Sequence, residues 1–227
     1  MHPKNRINWW IPALIALLVL AVTAAVLLLM PREGPPGEPT APTEPPPSVD
    51  ALRCLQFSSF SGEFVEDGTH AQVSNVAAVL VTNPTSKFLD LATVTYKVGD
   101  KIATFEITGL PPGGTAWVLE KNRLRLEEGW EFEFDDSSYS FRSDAIRQTD
   151  LLTVRNDGHT VTVTNVSDKP LKNVCIYYKV KHSDGNYFGG ITYMMDFDDL
   201  EPGGTLTKQS AHYGPDAEIV RYSYQTG

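Results

Sequence analysis

The sequence predicts an all-β ectodomain of two tandem antiparallel β-sandwiches that follows one N-terminal transmembrane helix. Three observations carry this prediction: an uncharged apolar stretch near the N-terminus, a duplicated residue pattern, and many short strands separated by Gly- and Pro-rich turns. The 227 residues suffice for one large domain or two small ones. We expect a cytoplasmic tail at 1–8, a transmembrane anchor at 9–30, a proline-rich linker at 31–50, and modules at 51–141 and 142–227.

The predicted anchor, residues 9–30, contains no charged residue. A helix of this length rises about 1.5 Å per residue and can cross a hydrocarbon layer of about 30 Å. A cleaved signal peptide is the alternative, but its apolar region is usually only about 7–15 residues long. Lys4 and Arg6 precede the stretch, and Arg32 is the only basic residue close behind it. The positive-inside rule therefore predicts an uncleaved signal-anchor in a cell membrane, with the N-terminus cytoplasmic and the rest extracytoplasmic.

The linker at 31–50 is dominated by proline, with glycine, glutamate and threonine between. Such a composition cannot build a core and favours extended polyproline II. We expect a semi-rigid stalk of roughly 50 Å, at roughly 3.1 Å per residue. The P-x-x-P spacing from Pro39 to Pro42 would also suit an SH3 partner. Because SH3 partners are cytoplasmic and the linker is expected outside, we interpret it as a spacer.

The stretch Val79–Val98 is repeated at Val161–Val180 with a constant offset. The matched residues are Val81 and Val163, Asn83 and Asn165, Thr85 and Ser167, Lys87 and Lys169, Leu89 and Leu171, and Tyr96-Lys97-Val98 and Tyr178-Lys179-Val180. Further on, Leu110-Pro111-Pro112-Gly113-Gly114-Thr115 corresponds to Leu200-Glu201-Pro202-Gly203-Gly204-Thr205. So many matches in one order indicate an internal duplication.

Each copy reads as strands and turns. Val161 and Val163 alternate with threonines, which is the period of a half-buried strand. Pro-Gly-Gly permits positive φ, and Asp-Gly pairs mark hairpins. Tyr96 and Tyr178 fall at matching inward positions, where we expect core. Further strands are predicted at 102–107, 115–119, 130–134, 187–195, 205–209 and 219–224, and about 90 residues per unit suits a sandwich.

The order Val-x-Asn-x-Ser-x-Lys-x-Leu-x-x-Val, Tyr-x-Val, Asp-Gly and Leu-x-Pro-Gly resembles the FxLYD and CARDB-type modules of bacterial surface proteins. The copy at Val161–Thr205 carries it best, and Val79–Thr115 covers the same elements with a shorter hairpin at Val98–Lys101. The FxLYD letters themselves are absent, since the strand reads Tyr177-Tyr178-Lys179-Val180. The resemblance implies immunoglobulin-like sandwiches on a bacterial cell surface and no catalytic residue.

The acidic residues Asp196, Asp198, Asp199 and Glu201 are the one candidate metal site. Four carboxylates near a turn could ligate Ca²⁺, which prefers oxygen ligands. The alternative, which we favour, is a solvated strand end, because the EF-hand spacing is absent and the first copy has no counterpart. No other cofactor is expected.

Aromatic and sulfur side chains leave further alternatives open. Tyr187, Phe188 and Tyr193 flank two glycines and would either fill the core or stack on a sugar or a partner protein. Cys54 and Cys175 would be two separately buried thiols or a pair linking the modules; we favour the separate thiols.

Charge and motifs bound the function. The net charge of −9 argues against nucleic acid and anionic lipid surfaces as partners. No catalytic motif is present, so we do not expect an enzyme. We expect a non-catalytic, membrane-anchored extracytoplasmic protein that presents tandem sandwiches for protein interaction or envelope structure. The alternative is a carbohydrate- or ligand-binding accessory domain, or a sensor ectodomain.

Overall fold

The computed structural model describes residues 52–127, 129–142 and 151–226. Within these ranges the regular structure consists of twelve β-strands, and no helix there is long and apolar enough to span a bilayer. The all-β class is therefore confirmed. The predicted tail, anchor and linker lie outside the described residues.

The strands fall into two halves with six strands each. The first half contains β1 (Arg53–Glu63), β2 (Gln72–Thr82), β3 (Phe88–Val98), β4 (Lys101–Leu110), β5 (Thr115–Leu119) and β6 (Glu133–Arg142). The second half contains β7 (Leu152–Asp157), β8 (Thr160–Asn165), β9 (Leu171–Lys181), β10 (Tyr187–Asp196), β11 (Thr205–Gln209) and β12 (Ala217–Thr226). Five of the six further strands that we listed by number are confirmed within a few residues.

The strand order repeats from one half to the other. The first half orders its strands as β1-β2-β5 and β4-β3-β6, and the second as β7-β8-β11 and β10-β9-β12. A short parallel pairing joins β5 to β10, with Ala116 opposite Tyr187 and Trp117 opposite Phe188. One sheet therefore runs through both halves as β1-β2-β5-β10-β9-β12. We call the place where β5 meets β10 the seam.

Each half encloses its own apolar core. The first core lies between β1-β2-β5 and β4-β3-β6, and Tyr96 is buried in it. The second core contains Tyr178 together with side chains of β7, β8, β9 and β10. Both tyrosines are thus core, as their matched positions predicted. The second half also contributes Tyr187 and Val220 to the first core, so the halves pack against each other.

The strand predicted at 130–134 is wrong in its position, because β6 begins at Glu133 and continues to Arg142. Phe132 instead stacks on Phe57, with 4.0 Å between ring centroids, and the Lys101 ammonium lies over the Trp130 ring. These apolar residues close the first core without pairing in a sheet. The paired strand is rich in serine and aspartate, because one of its faces is solvated. The expected boundary at 141/142 falls at its end, next to undescribed residues, and stays a prediction.

Candidate functional site

The asparagine of the second repeat is fully buried and bound through both ends of its amide. Asn165 Nδ2 donates to the carbonyl oxygens of Lys169 at 2.7 Å and Leu200 at 3.0 Å. Its Oδ1 accepts the backbone N–H of Ser167 at 2.9 Å and the Ser167 hydroxyl at 2.7 Å. Its backbone N–H donates to Gly204 in the Pro-Gly-Gly turn. One side chain thus ties two turns together.

The first repeat contains the same network. Asn83 is also fully buried, and its Nδ2 donates to Lys87 O at 2.8 Å and to Leu110 O at 3.0 Å. Its Oδ1 accepts the N–H and the hydroxyl of Thr85 at 3.1 and 2.7 Å, and its N–H donates to Gly114. The asparagines that help to define the duplication therefore stabilise the turns of each half. Candidates for function lie where the two halves differ.

A buried lysine lies at the seam. Lys179 of β9 is fully buried on the face of the sheet opposite the second core, where the first half covers it. Its Nζ donates to the carbonyl oxygens of Thr108, Gly190 and Ile191 at 3.0, 3.2 and 2.7 Å. Three carbonyls match the three donors of an ammonium group. Burial lowers the pKa of Lys179 to about 7, while the Glu66 carboxylate raises it.

A buried carboxylate, Glu66, binds the N–H of Gly190, the residue whose carbonyl oxygen accepts from Lys179. Glu66 accepts the backbone N–H groups of Gly190 and Leu119, each at 2.8 Å. Burial raises the pKa of Glu66, whereas these bonds and the charge of Lys179 act in the opposite direction. A Cβ at Gly190 would lie 1.8 Å from Glu106 O, so only glycine fits. Both ionisable groups are bound to backbone, which makes the seam a rigid joint.

An aromatic cleft opens on the outer surface of the six-stranded sheet at the seam. Phe60, Trp117, Phe188 and His182 line it above a floor that includes Leu119, and its volume is about 120 Å³. The Phe60 and Phe188 rings are 5.1 Å apart, and the His182 and Phe188 rings are 5.6 Å apart. Strands from both halves contribute to it, so neither half contains the whole cleft.

The Trp117 ring is held in place by a carboxylate. Its Nε1–H donates to Asp184 Oδ2 at 3.0 Å. Asp184 also accepts the N–H of Asn186 at 3.0 Å, and these bonds lower its pKa although desolvation opposes them. Trp117 matches Thr207 in the second repeat, so the tryptophan departs from the duplicated pattern. Sequence reasoning missed this cleft, and that departure was the signal that could have found it.

The four acidic residues predicted as a calcium site are all exposed. Asp196 accepts the Cys175 thiol at 3.2 Å, and Asp199 accepts the N–H of Asn173 at 3.1 Å. Across the described parts of the chain, no three His, Cys, Asp or Glu side chains are grouped as metal ligands. Calcium binding at Asp196, Asp198, Asp199 and Glu201 therefore stays a prediction, next to the solvated strand end that we favoured.

The three aromatic residues around the paired glycines take separate places. Tyr187 is buried in the first core, and Phe188 lines the aromatic cleft. Tyr193 stacks between Tyr178 and His212, with centroid distances of 5.4 and 5.6 Å. The interpretation as core therefore holds for Tyr187, whereas Phe188 is available for contact.

Both cysteines are free, as we favoured, but of the two thiols that we expected to be buried only Cys54 is. Cys54 is buried and accepts the Tyr96 hydroxyl at 2.7 Å, and Cys175 is half-buried beside Asp196. Burial raises the pKa of Cys54, and burial together with the Asp196 carboxylate raises the pKa of Cys175 to about 11. A thiol needs a lowered pKa to act as a nucleophile, so neither is suited to that chemistry.

Comparisons with known proteins name no family. No protein-family profile and no curated protein matches the chain. Among solved structures, a Bacteroides fragilis protein described as a beta-galactosidase aligns with a TM-score of 0.16 at 15% identity. The alignment covers 78% of this chain and 41% of that one, so the chain spans less than half of its length. Similarity this low carries no argument about fold or function.

Proposed function

We propose that this chain is a non-catalytic, membrane-anchored extracytoplasmic protein. In this proposal it presents two immunoglobulin-like sandwiches, as one rigid unit on a proline-rich stalk, for contact with a protein partner or for envelope structure.

The seam is the observation that carries the proposal. A catalytic residue needs donors or lone pairs that are free for a substrate. Lys179 instead spends its three donors on carbonyl oxygens, and Glu66 accepts backbone N–H groups. The buried Glu120 likewise accepts the N–H groups of Thr104 and Leu124. Lys179 and Glu66 bind across the joint between the halves, whereas Glu120 binds within the first half. Ionisable groups held in this way suit a protein that presents a surface.

Epitope accessibility tests the topology. A tag after residue 227 should be reached by protease on intact cells or spheroplasts, and a tag before residue 1 should be protected. The opposite pattern would place the β-rich part in the cytoplasm and refute the proposal.

Cross-linking of the full chain in its membrane then tests for a partner. A defined protein should be captured at stoichiometric yield by wild type and lost when Gly190→Ala opens the seam.

Ligand binding in the aromatic cleft is the second candidate, because fixed aromatic faces at a sheet surface suit a neutral sugar ring. Among the described residues that line the cleft, His182 alone is ionisable, which favours an uncharged ligand. Calorimetric titration with cellohexaose, maltohexaose and chitohexaose tests this candidate. Binding to wild type should be lost in Trp117→Ala and retained in Trp130→Ala, which removes a tryptophan outside the cleft. Absence of binding to all three sugars, or binding unaffected by Trp117→Ala, would eliminate it.

A further inference from the structure

The outer edge of β1 pairs with no other strand among those described. β1 is the first strand of the six-stranded sheet and is bonded on one side only, to β2. An unpaired edge presents a row of backbone N–H and C=O groups to other chains. Natural proteins usually protect such edges with charged side chains, proline or bulges.

β1 differs from the other edge strands in its charge. Between Arg53 and Glu63 it contains no charged residue and no proline. Each other strand at the end of a described sheet carries charge inside its span: Glu106 in β4, Asp135 and Asp136 in β6, Arg155 in β7, Lys208 in β11, and Glu218 and Arg221 in β12. Five of the six edge strands are thus protected by charge, and β1, the longest, is not. Its ladder with β2 does shift register between Cys54 and Gln56 and between Phe60 and Gly62, which leaves a regular stretch around Ser58.

The charges at the two ends of β1 make it complementary to itself. In an antiparallel pair of two β1 strands centred on Ser58, Arg53 of each copy lies at the same end as Glu63 of the other. Opposite charges across neighbouring strands stabilise a pair, and like charges weaken it. Leu55, which is 45% exposed and lies at the first register shift, would gain a neighbouring side chain from the second strand. Glu63 contacts His70 in its own chain and stays half exposed, so it can also reach an arginine.

We propose that β1 is a dimerisation edge, where it pairs antiparallel with β1 of a second copy. The two-fold axis passes through Ser58, and the two six-stranded sheets become one continuous sheet. Such an isologous contact closes on itself and does not propagate.

The test measures the oligomeric state of the full chain in detergent micelles by sedimentation velocity across a concentration series. We expect a dimer for wild type. Ser58→Lys places two like charges opposite each other on the two-fold axis and should weaken dimerisation at least tenfold. Gln209→Lys adds the same charge to the edge strand β11 and should leave the dimer unchanged. Circular dichroism and thermal melts confirm that both variants are folded.

A charge exchange separates pairing through β1 from association through another surface. Arg53→Glu and Glu63→Arg should each weaken the dimer, and the double variant should restore it, because the complementary pairs are re-formed in reverse. A monomeric wild type, a dimer that Ser58→Lys leaves intact, or a double variant no better than its singles would each overturn the proposal. Loss of the anchor topology would refute the proposed function and leave this result standing.

Discussion

The buried asparagine found in both repeats gives a direct test of what the duplicated pattern contributes. Asn165→Ala removes four side-chain hydrogen bonds. The Leu200 carbonyl keeps the N–H of Leu171, and the Lys169 carbonyl keeps the Ser167 hydroxyl. With about 0.5–1.5 kcal/mol per bond, and two acceptors still satisfied, we expect a loss of about 2–4 kcal/mol. For a chain of this size that loss lowers Tm by roughly 4–16 °C.

The isosteric change Asn165→Asp separates hydrogen bonding from shape. The aspartate fills the same volume and can still accept from Ser167. It also places a carboxylate oxygen against the carbonyl oxygens of Lys169 and Leu200, where the amide donates at 2.7 and 3.0 Å. A buried charge without a donor is costly, so Asp should destabilise more than Ala at neutral pH.

Urea denaturation followed by circular dichroism measures both variants. The same two changes at Asn83 provide the matched comparison, and they should cost at least as much because Asn83 Nδ2 also approaches Pro111 O at 3.2 Å. An aspartate variant as stable as wild type, or milder than the alanine variant, would show that the repeat selects the side chain for its shape.

Four further predictions concern the cores, the seam and the acidic turn. Tyr178→Ala should lower the free energy of unfolding by about 3–5 kcal/mol and Tyr178→Phe by about 1 kcal/mol, both measured by urea denaturation. An alanine variant as stable as wild type would contradict the burial of Tyr178. Gly190→Ala should lower the free energy of unfolding by about 2–3 kcal/mol, because the added Cβ would overlap Glu106 O. It should also speed hydrogen exchange in β10, and unchanged exchange would contradict the close packing described at the seam. Between pH about 7 and 10, Lys179 is protonated in the unfolded chain and has released its proton in the folded chain. The free energy of unfolding, measured with urea, should therefore rise with pH over this range, and the rise should be absent in Lys179→Met. Excess Ca²⁺ should leave Tm unchanged; a rise that Asp198→Ala abolishes would establish the site.

The local parts of the fold could be predicted because their stabilising contacts are close in sequence. Asn165 binds groups two and four residues away, so the motif reads directly from the sequence. Pro-Gly-Gly turns likewise set where β5 and β11 begin, and both strands match their predicted bounds, 115–119 and 205–209. Alternation within the strands was enough to place Tyr96 and Tyr178 in the cores.

β6 shows where apolar alternation fails as a guide. Trp130 and Phe132 form the apolar segment that indicated a strand, yet they pack on the edge of the first core outside any sheet. The backbone pairs further along, through Ser138 and Ser140 opposite β3. A solvated edge strand needs few apolar residues, so its position depends on register with its neighbour.

The candidate site could not be predicted, because it exists only where the halves meet. Alternation along β9 puts Lys179 on the face opposite Tyr178, but it does not indicate that another part of the chain covers that face. The cleft likewise combines Trp117 with Phe188, which pair across the seam.

The sequence by itself therefore determined the all-β class, the duplication, the turn motifs and the inward tyrosines, because each rests on a local pattern of side chains and backbone. Only the tertiary structure decided that β5 pairs with β10, that Lys179 is buried, and that aromatic residues of both halves form one cleft. Lys179 reaches a carbonyl 71 positions away, and Glu66 reaches an amide 124 positions away. Contacts over such separations leave no periodic signal, since they depend on how two finished surfaces fit together.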